Sequence, residues 1–599
     1  MQEIRNIAII AHVDHGKTTL VDAMLKQSNT LKKSLEGDLI MDSNDLERER
    51  GITIFSKNAS IEYKGVKINI IDTPGHADFG GEVERIMRMV DGAILLVDAK
   101  EGPMPQTKFV LRKAIQAGHK IIVVINKIDK PDARPDWVLD KTFDLFVELG
   151  ATDSQTDFPV IYASGVQGKA GHVADLTMMR DVTPLLDTVL EEVPPALAQR
   201  DEPLQLLTVN LVYDDFKGKI AIGRLYSGCL RRGQEVLHIN RDGMQKKTKI
   251  SAVMTFVGLE RRDVDEVLAG DIVAIAGIPD VSIGETITDI EHPRPLPTIS
   301  IEEPTVKMTF GINTSPFNGR DGKYTTSRNI KDRLERELET DVALRVESTS
   351  SGDRWVVSGR GELHLSILIE KMRRESYELE VSKPQVIFKE EDGRVLEPIE
   401  QVTIEVPEQF AGVVIEKMGR RRGEMKDMRV ENATSYLDFV IPTRGLIGYR
   451  AELLNDTKGL GIINSLFLGY EPFKGEMSEQ PHGSLIAFEN GITMGYGLTA
   501  AQERGQLFVG PGVEVYAGMI VGQNAKSEDL EVNVCREKKL SNMRSKGDGE
   551  STRLDVPRIM TLEDALQYIG DDEFVEVTPA HVRLRKSVLS AIERKRLAR

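Results

Sequence analysis

Lys17, Thr18 and Thr19 close the stretch AHVDHGKTTL, residues 11–20, in which a glycine, a lysine and two hydroxyls are adjacent. That combination suits a polyphosphate. Gly16 lets backbone N–H groups approach the oxygens, Lys17 reaches the β- and γ-phosphates, and the Thr18 hydroxyl is placed to hold Mg²⁺. Asp14, His15 and Thr19 complete the expected nucleotide-binding loop. The general pattern G-x-x-x-x-G-K-[ST] has a glycine where this chain has Ala11, which is small enough to follow a strand and leaves the phosphate chemistry intact. A carboxylate arrives in INIIDTPGHADF, 68–79: Asp72 suits the water shell of a metal, and Gly75, three residues on, offers its N–H to a γ-phosphate. KIIVVINKID, 120–129, ends in Asn126, Lys127 and Asp129. An aspartate here accepts from guanine N1–H and N2–H₂ together, which adenine cannot match, and an unpaired acceptor is costly enough to select the base. Asn126 and Lys127 brace base and loop, and DFPVIYASG, 157–165, sets Ser164 and Gly165 beside them. The four stretches predict a site for GTP or GDP with Mg²⁺.

Each stretch needs an element to hold it. An apolar run at 7–10 precedes the first loop, and TTLVDAMLKQ after it repeats apolar residues at helical spacing. This is the strand, loop, helix order in which a helix N-terminus faces phosphate. The other three stretches each contain a short apolar run that reads as a buried strand. An α/β P-loop domain is expected over 1–200.

In order and spacing these pieces resemble a translational GTPase domain. DSNDLERERGITI, 42–54, is similar to the first switch of that family, and the resemblance implies that the Thr53 hydroxyl completes the Mg²⁺ shell when γ-phosphate is present. It also implies a role for His76, directly after Gly75: positioning the water that attacks γ-phosphate, with ribosomal RNA orienting the side chain. Phosphoryl transfer depends on placement and charge stabilisation, so this histidine need not be a strong base. Val13 and Ile52 match the family's apolar gate beside the histidine, and Asp14 its phosphate-loop aspartate. The family usually has alanine where this chain has Gly165, a small departure because the contact there is made by backbone.

At 599 residues the chain exceeds one hydrophobic core and is expected to form roughly four or five domains. No apolar run approaches the length of a bilayer and no leader-like segment opens the chain, so a cytoplasmic location is expected. The two cysteines, Cys229 and Cys535, exclude a disulfide framework or a cysteine-rich metal site. Net charge is −16, which argues against nucleic acid, yet cations gather in two runs. Arg536, Lys538, Lys539, Arg544 and Lys546 form one; Arg583, Arg585, Lys586, Arg594, Lys595, Arg596 and Arg599 form the other. Basic patches on an acidic body are expected, a solvated face being the plainer reading of either run.

After a Pro-containing linker, 201–300 shows short alternating strands with glycine turns, an antiparallel β-barrel that resembles the second domain of elongation factors. Residues 301–385 alternate strands and helices as a ferredoxin-like α+β domain, and VSGRGELHL at 357–365 is close to the third domain of elongation factor G; His364 there is expected to pack. A second ferredoxin-like unit, 386–480, resembles the fifth domain of that factor and leaves no room for its fourth. It carries Arg420, Arg421 and Arg422, expected to be exposed, which ordinary solvation explains; the resemblance implies contact with ribosomal RNA. The remainder, 481–599, is expected to be mostly β with a basic loop and tail, and Thr561 to cap a short helix beginning with Glu563 and Asp564. It has no counterpart in elongation factors G or Tu. Through ERGQLFVGPGVEVYAGMIVGQN and MTLEDALQYIGDDEFVEVTPAHVRLRK the chain is identified as a member of the BipA/TypA ribosomal GTPase family.

That resemblance implies a GTPase acting in large (50S) subunit assembly and in translation under cold or stress. Its implied partners are the 50S subunit and 70S ribosome, ribosomal RNA and tRNA, with no membrane; a monomer is assumed. Two readings stay open: a ribosome-stimulated enzyme whose hydrolysis ends a binding cycle, and a GTP-gated ribosomal RNA-binding assembly module in which hydrolysis only resets binding. His76 and Thr53 together favour turnover. A back-translocation factor related to elongation factor four (LepA) is disfavoured by the C-terminal stretches.

Overall fold

The computed structural model describes residues 3–597 apart from Val13, 29–44, 51–56, 75–79, Ala198, Asp215, 299–302, Val342, Asp392, Asn432, 478–482 and 538–553. The chain divides into two compact units, Met1–Glu302 with Glu339–Val342, and Glu303–Leu338 with Ala343–Arg599. Among the described residues no helix is long and apolar enough to cross a membrane.

In the first unit, β1 (Ile4–Ala11) leads through the lysine loop into α1 (Lys17–Gln27). With β2 (Lys57–Tyr63), β3 (Val66–Asp72), β4 (Gly92–Asp98), β5 (Lys120–Asn126), β6 (Val160–Ser164) and β7 (Lys169–Gly171) it builds a sheet in the order β2-β3-β1-β4-β5-β6-β7. The five inner strands run parallel and the two edges antiparallel. Parallel strands are covered on both faces, which is why β4 is buried at every residue and its sequence, GAILLVD, does not alternate. Because β1, β3, β5 and β6 point the same way, Gly16, Asp72, Asn126 and Ser164 are all delivered to the carboxyl edge of one sheet, where open α/β folds bind ligands.

Eight antiparallel strands from Gln205–Asp214 to Thr286–Thr288 form the barrel domain around Leu206, Leu225, Val236, Val273 and Ile287. It is tied to the nucleotide domain by a polar seam. Ser60 and Gly258 exchange backbone hydrogen bonds of 2.8 and 2.9 Å. Lys67 Nζ meets Asp271 at 2.8 Å, Asn69 Nδ2 donates to Asp271 Oδ1 at 3.0 Å, and Arg224 meets Asp91 at 2.7 Å. Lys67 and Asn69 lie on β3, the strand that ends in Asp72, so the barrel and the phosphate site share one support.

In the second unit, Val306–Ile312, Arg345–Ser348, Arg354–Gly359 and Leu379–Val381 pair in the split order 2-3-1-4 of a ferredoxin-like sheet, with helices Ser327–Thr340 and Glu362–Arg374. His364 is buried, and its Nδ1 accepts from the Arg360 N–H. Arg394–Pro407, Glu424–Glu431, Thr434–Pro442 and Ile462–Pro472 repeat that order around Val402, Ile404, Met418 and Phe439.

The first of these sheets does not stop at its fourth strand. Leu379–Val381 pairs antiparallel with Glu573–Val577, and the sheet continues through Val582–Lys586, Met519–Asn524, Ser484–Ala487 and Leu530–Val532. One apolar core spans the junction, joining Phe310, Leu334 and Leu379 to Leu566, Val575 and Leu584. Glu378, Glu380 and Glu576 are buried at the same junction. Glu380 accepts from Arg354 and Arg585, Glu576 from Arg583 at 2.8 Å and from the Tyr516 hydroxyl at 2.6 Å. Glu378 receives the backbone N–H groups of Gly319, Asp321 and Gly322.

This corrects the reading of the last basic run. Arg585 and Lys586 are 1% and 3% exposed, on a strand inside the sheet, with carboxylates around them; Lys586 meets Asp529, Asp572 and Glu573. Their charge is neutralised within the protein and forms no patch. Thr561 caps Leu562–Tyr568 in a capping box with Asp564, as its position suggests.

Candidate active site

The lysine loop turns on two left-handed residues, Asp14 at φ +64° and Gly16 at φ +90°. Gly16 is required twice over: beyond its φ, a Cβ there would lie 2.6 Å from Asn126 Nδ2. That closeness comes from a clamp. Asn126 Nδ2 donates to the His15 carbonyl at 2.8 Å while its Oδ1 accepts the Gly165 N–H at 2.9 Å, so one buried amide holds three loops together. A Cβ on Gly165 would come no closer than 3.4 Å to any atom, so alanine fits there too. Thr18 and Thr19 sit half-buried in the first turn of α1, whose N-terminus takes no side-chain cap from the described residues, an arrangement that suits an anion.

Lys17 bends toward Asp72. Its Nζ lies 2.7 Å from Asp72 Oδ1 and donates to the Thr73 carbonyl at 2.5 Å. Asp72 is 1% exposed, and burial lifts its carboxyl above the ordinary range against the pull of Lys17. Apart from that ammonium, neither carboxylate oxygen has a donor among the described residues. A buried carboxylate in need of a cation, beside a lysine built for phosphate, is a hard-oxygen donor suited to Mg²⁺.

On the base side Lys127, at φ +64°, reaches back to Asp98 Oδ2 at 2.6 Å. Burial pushes the Asp98 carboxyl up, but Lys127 and the Lys100 N–H outweigh it and hold it below its usual range. Asp129 is exposed at the rim, Ile128 N–H donates to the Ala163 carbonyl at 3.3 Å, and Ser164 is buried. Gly16, Lys17, Asp72, Asn126, Lys127 and Gly165 are thus gathered at one edge. Val13, Ile52, Thr53, Gly75 and His76 lie outside the described residues, as do Lys538, Lys539, Arg544 and Lys546.

The sequence reading missed Asp98 and the ring of His15, and a signal existed for the first. VDAKEG closes a buried apolar strand with an acid, as IIDTPG does at Asp72. In the second unit Arg420 is exposed and pairs with Glu416; Arg422 is exposed and donates to the Glu476 carbonyl. Arg421 departs from expectation: it is turned inward, donating to the carbonyls of Gly445 and Ile447 and to Glu452 at 2.8 Å, and holds the domain together. Arg536 is exposed, 5.6 Å over the Tyr496 ring.

Family models match along the chain: elongation factor Tu GTP binding domain at 2–195, elongation factor Tu domain 2 at 218–288, elongation factor G domain III at 323–383, elongation factor G C-terminus at 394–481 and TypA/BipA C-terminal domain at 482–591. The large ribosomal subunit assembly factor BipA of a Synechocystis species is 52% identical over 97% of this chain and 98% of its own length. The protein of that name from Bacillus subtilis is 50% identical over 100% of this chain and 98% of its own. A crystal structure from Thermus thermophilus, 18% identical, superposes with a TM-score of 0.55 over 79% of this chain and 97% of that one, a likeness of fold.

Proposed function

Because this chain belongs to the TypA/BipA family of translational GTPases, we propose that it acts on the large ribosomal subunit, binding in the GTP state and leaving once GTP is hydrolysed to GDP and phosphate. The chain is a GTP-hydrolysing enzyme, and the observation that carries the cycle is the pairing of Lys17 with the buried Asp72 carboxylate. The β- and γ-phosphates of GTP compete for the Lys17 ammonium, and its transfer to them leaves Asp72 to another cation. Thr18, Asp72 and, with γ-phosphate present, Thr53 would hold Mg²⁺, which supplies charge neutralisation at the phosphate oxygens. Asp129 reads guanine, Ser164 and Gly165 border it, and Asn126 keeps the phosphate and base loops in register. Asp14, His15 and Thr19 line the phosphates, and Gly75 reports γ-phosphate. His76, which the family pairs with the apolar gate residues Val13 and Ile52, orients the attacking water when ribosomal RNA engages it, so turnover is tied to docking. Ribosomal RNA is met through the exposed cations Arg420, Arg422 and Arg536, and the charge of Lys538, Lys539, Arg544 and Lys546 suits the same partner. The cycle runs in the cytoplasm, on a monomer, under cold or stress, with tRNA as a further partner.

Sedimentation tests this reading. The chain should travel with purified large subunits in the presence of a non-hydrolysable GTP analogue and separate from them with GDP. Equal binding in both states would remove the cycle.

A further inference from the structure

We propose that Glu101 and His15 form a positioning pair that sets how long guanine nucleotide stays bound, though Glu101 belongs to none of the stretches that carry the nucleotide chemistry. The inference rests on the nucleotide site described above.

The His15 ring is fully buried beneath the lysine loop. Its Nδ1 lies 3.3 Å from the Asp98 N–H and 3.3 Å from the Leu96 carbonyl, and its Nε2 faces Glu101 Oε2 at 3.5 Å. The two neighbours of Nδ1 make opposite demands. Accepting from Asp98 N–H puts the proton on Nε2; donating to Leu96 O leaves a lone pair there. The Glu101 carboxylate decides between them, because an anion facing Nε2 favours the tautomer with the proton on that nitrogen. The contact is felt at the other end as well: His15, working against partial burial, holds the Glu101 carboxyl below its usual range.

Two grips depend on this ring. Through the backbone, the His15 carbonyl receives the Asn126 amide at 2.8 Å. Through Asp98, whose N–H the ring accepts, it reaches the carboxylate that holds Lys127 at 2.6 Å and takes the N–H groups of Lys100 at 2.7 Å and Glu101 at 3.4 Å. Phosphate loop, the turn after β4 and base loop are therefore joined at one imidazole, whose tautomer is set from outside by a half-exposed acid. Without that acid the ring divides between Asp98 and Leu96, and the loops open more often.

Stopped-flow release of a fluorescent GDP from the full chain tests this in wild type, Glu101→Ala and Glu101→Gln. The alanine variant should release about fivefold faster, the scale of one charged contact of 3.5 Å at a half-exposed site. The glutamine variant keeps an oxygen for Nε2–H and should stay within about threefold of wild type. Thermal unfolding of the nucleotide-free proteins checks the fold: all three should unfold in one cooperative step, with the alanine variant lower by only a few degrees, since it loses one half-exposed contact and leaves no cavity. Alanine releasing at the wild-type rate would overturn the pair, and so would glutamine releasing as fast as alanine, since packing alone would then explain the effect. If wild type bound no GDP, the nucleotide site itself would be wrong and this inference would fall with it, an outcome separate from tight binding that ignores position 101.

Discussion

At the scale of single residues the site depends on groups that lack freedom to be anything else. Gly16 combines a left-handed φ with 2.6 Å of clearance to Asn126, so Gly16→Ala should abolish measurable GDP binding in a fluorescence titration. Gly165→Ala, with no atom inside 3.4 Å of the added carbon, should bind GDP as wild type does. Asp98 offers a pH test. Its carboxyl is held below the ordinary carboxylate range, so its ion pair with Lys127 adds stability that is complete above that range and is lost as pH falls through the lowered folded value. The gap in melting temperature between wild type and Asp98→Asn should therefore be widest near neutrality and should close in acid; a gap independent of pH would remove the pair's contribution. The residues that meet in the structure, Gly16, Lys17, Asp72, Asn126, Lys127 and Gly165, were legible because phosphate and guanine chemistry demand particular side chains at particular spacings. Glu101 and the ring of His15 were not, because they act on other side chains and that kind of service leaves no fixed spacing; Asp98 left only the weak signal of an acid that closes a buried strand.

At the scale of elements, the inner strands of the first sheet were readable from continuous apolar runs, and so was the fold class: P-loop domain, barrel, α+β units and a family-specific end. Charge was a poorer guide. A count of cations along 581–599 suggests a patch, but alternation on a strand hides a buried side from an exposed one. Arg585 lies on the buried side with Glu380 as its partner, and Glu380 lies 205 positions away in sequence. Because one strand supplies the base and the other the acid, removing Glu380 leaves the Arg585 guanidinium buried without its carboxylate. Glu380→Ala should cost about 3–5 kcal/mol in chemical denaturation of the second unit, whereas Arg420→Ala, whose pair with Glu416 is exposed, should cost less than about 1 kcal/mol. Similar small losses for both would show that the buried glutamates do not hold the junction.

At the scale of the whole chain, the reading by segments placed a boundary before the family-specific end, and the structure runs a sheet across it. Leu379–Val381 and Glu573–Val577 are three and five residues long and far apart in sequence, too short to announce a register. A chain ending near residue 480 would therefore lose more than a surface. It would expose Leu379, Val381 and the core they share with Val575 and Leu566, and its second unit should fail to unfold cooperatively, while the first unit keeps GDP binding. The second unit and the nucleotide-binding unit would then be separable by experiment, as the proposed dependence of turnover on docking requires. Steady-state GTP hydrolysis of wild type and His76→Ala, with and without purified ribosomes, measures whether docking drives turnover. Ribosomes should accelerate wild type strongly, and His76→Ala should lose that acceleration while GDP binding stays intact. Slow and equal hydrolysis by both proteins, ribosomes present or absent, would contradict this dependence and leave GTP as a gate for binding alone.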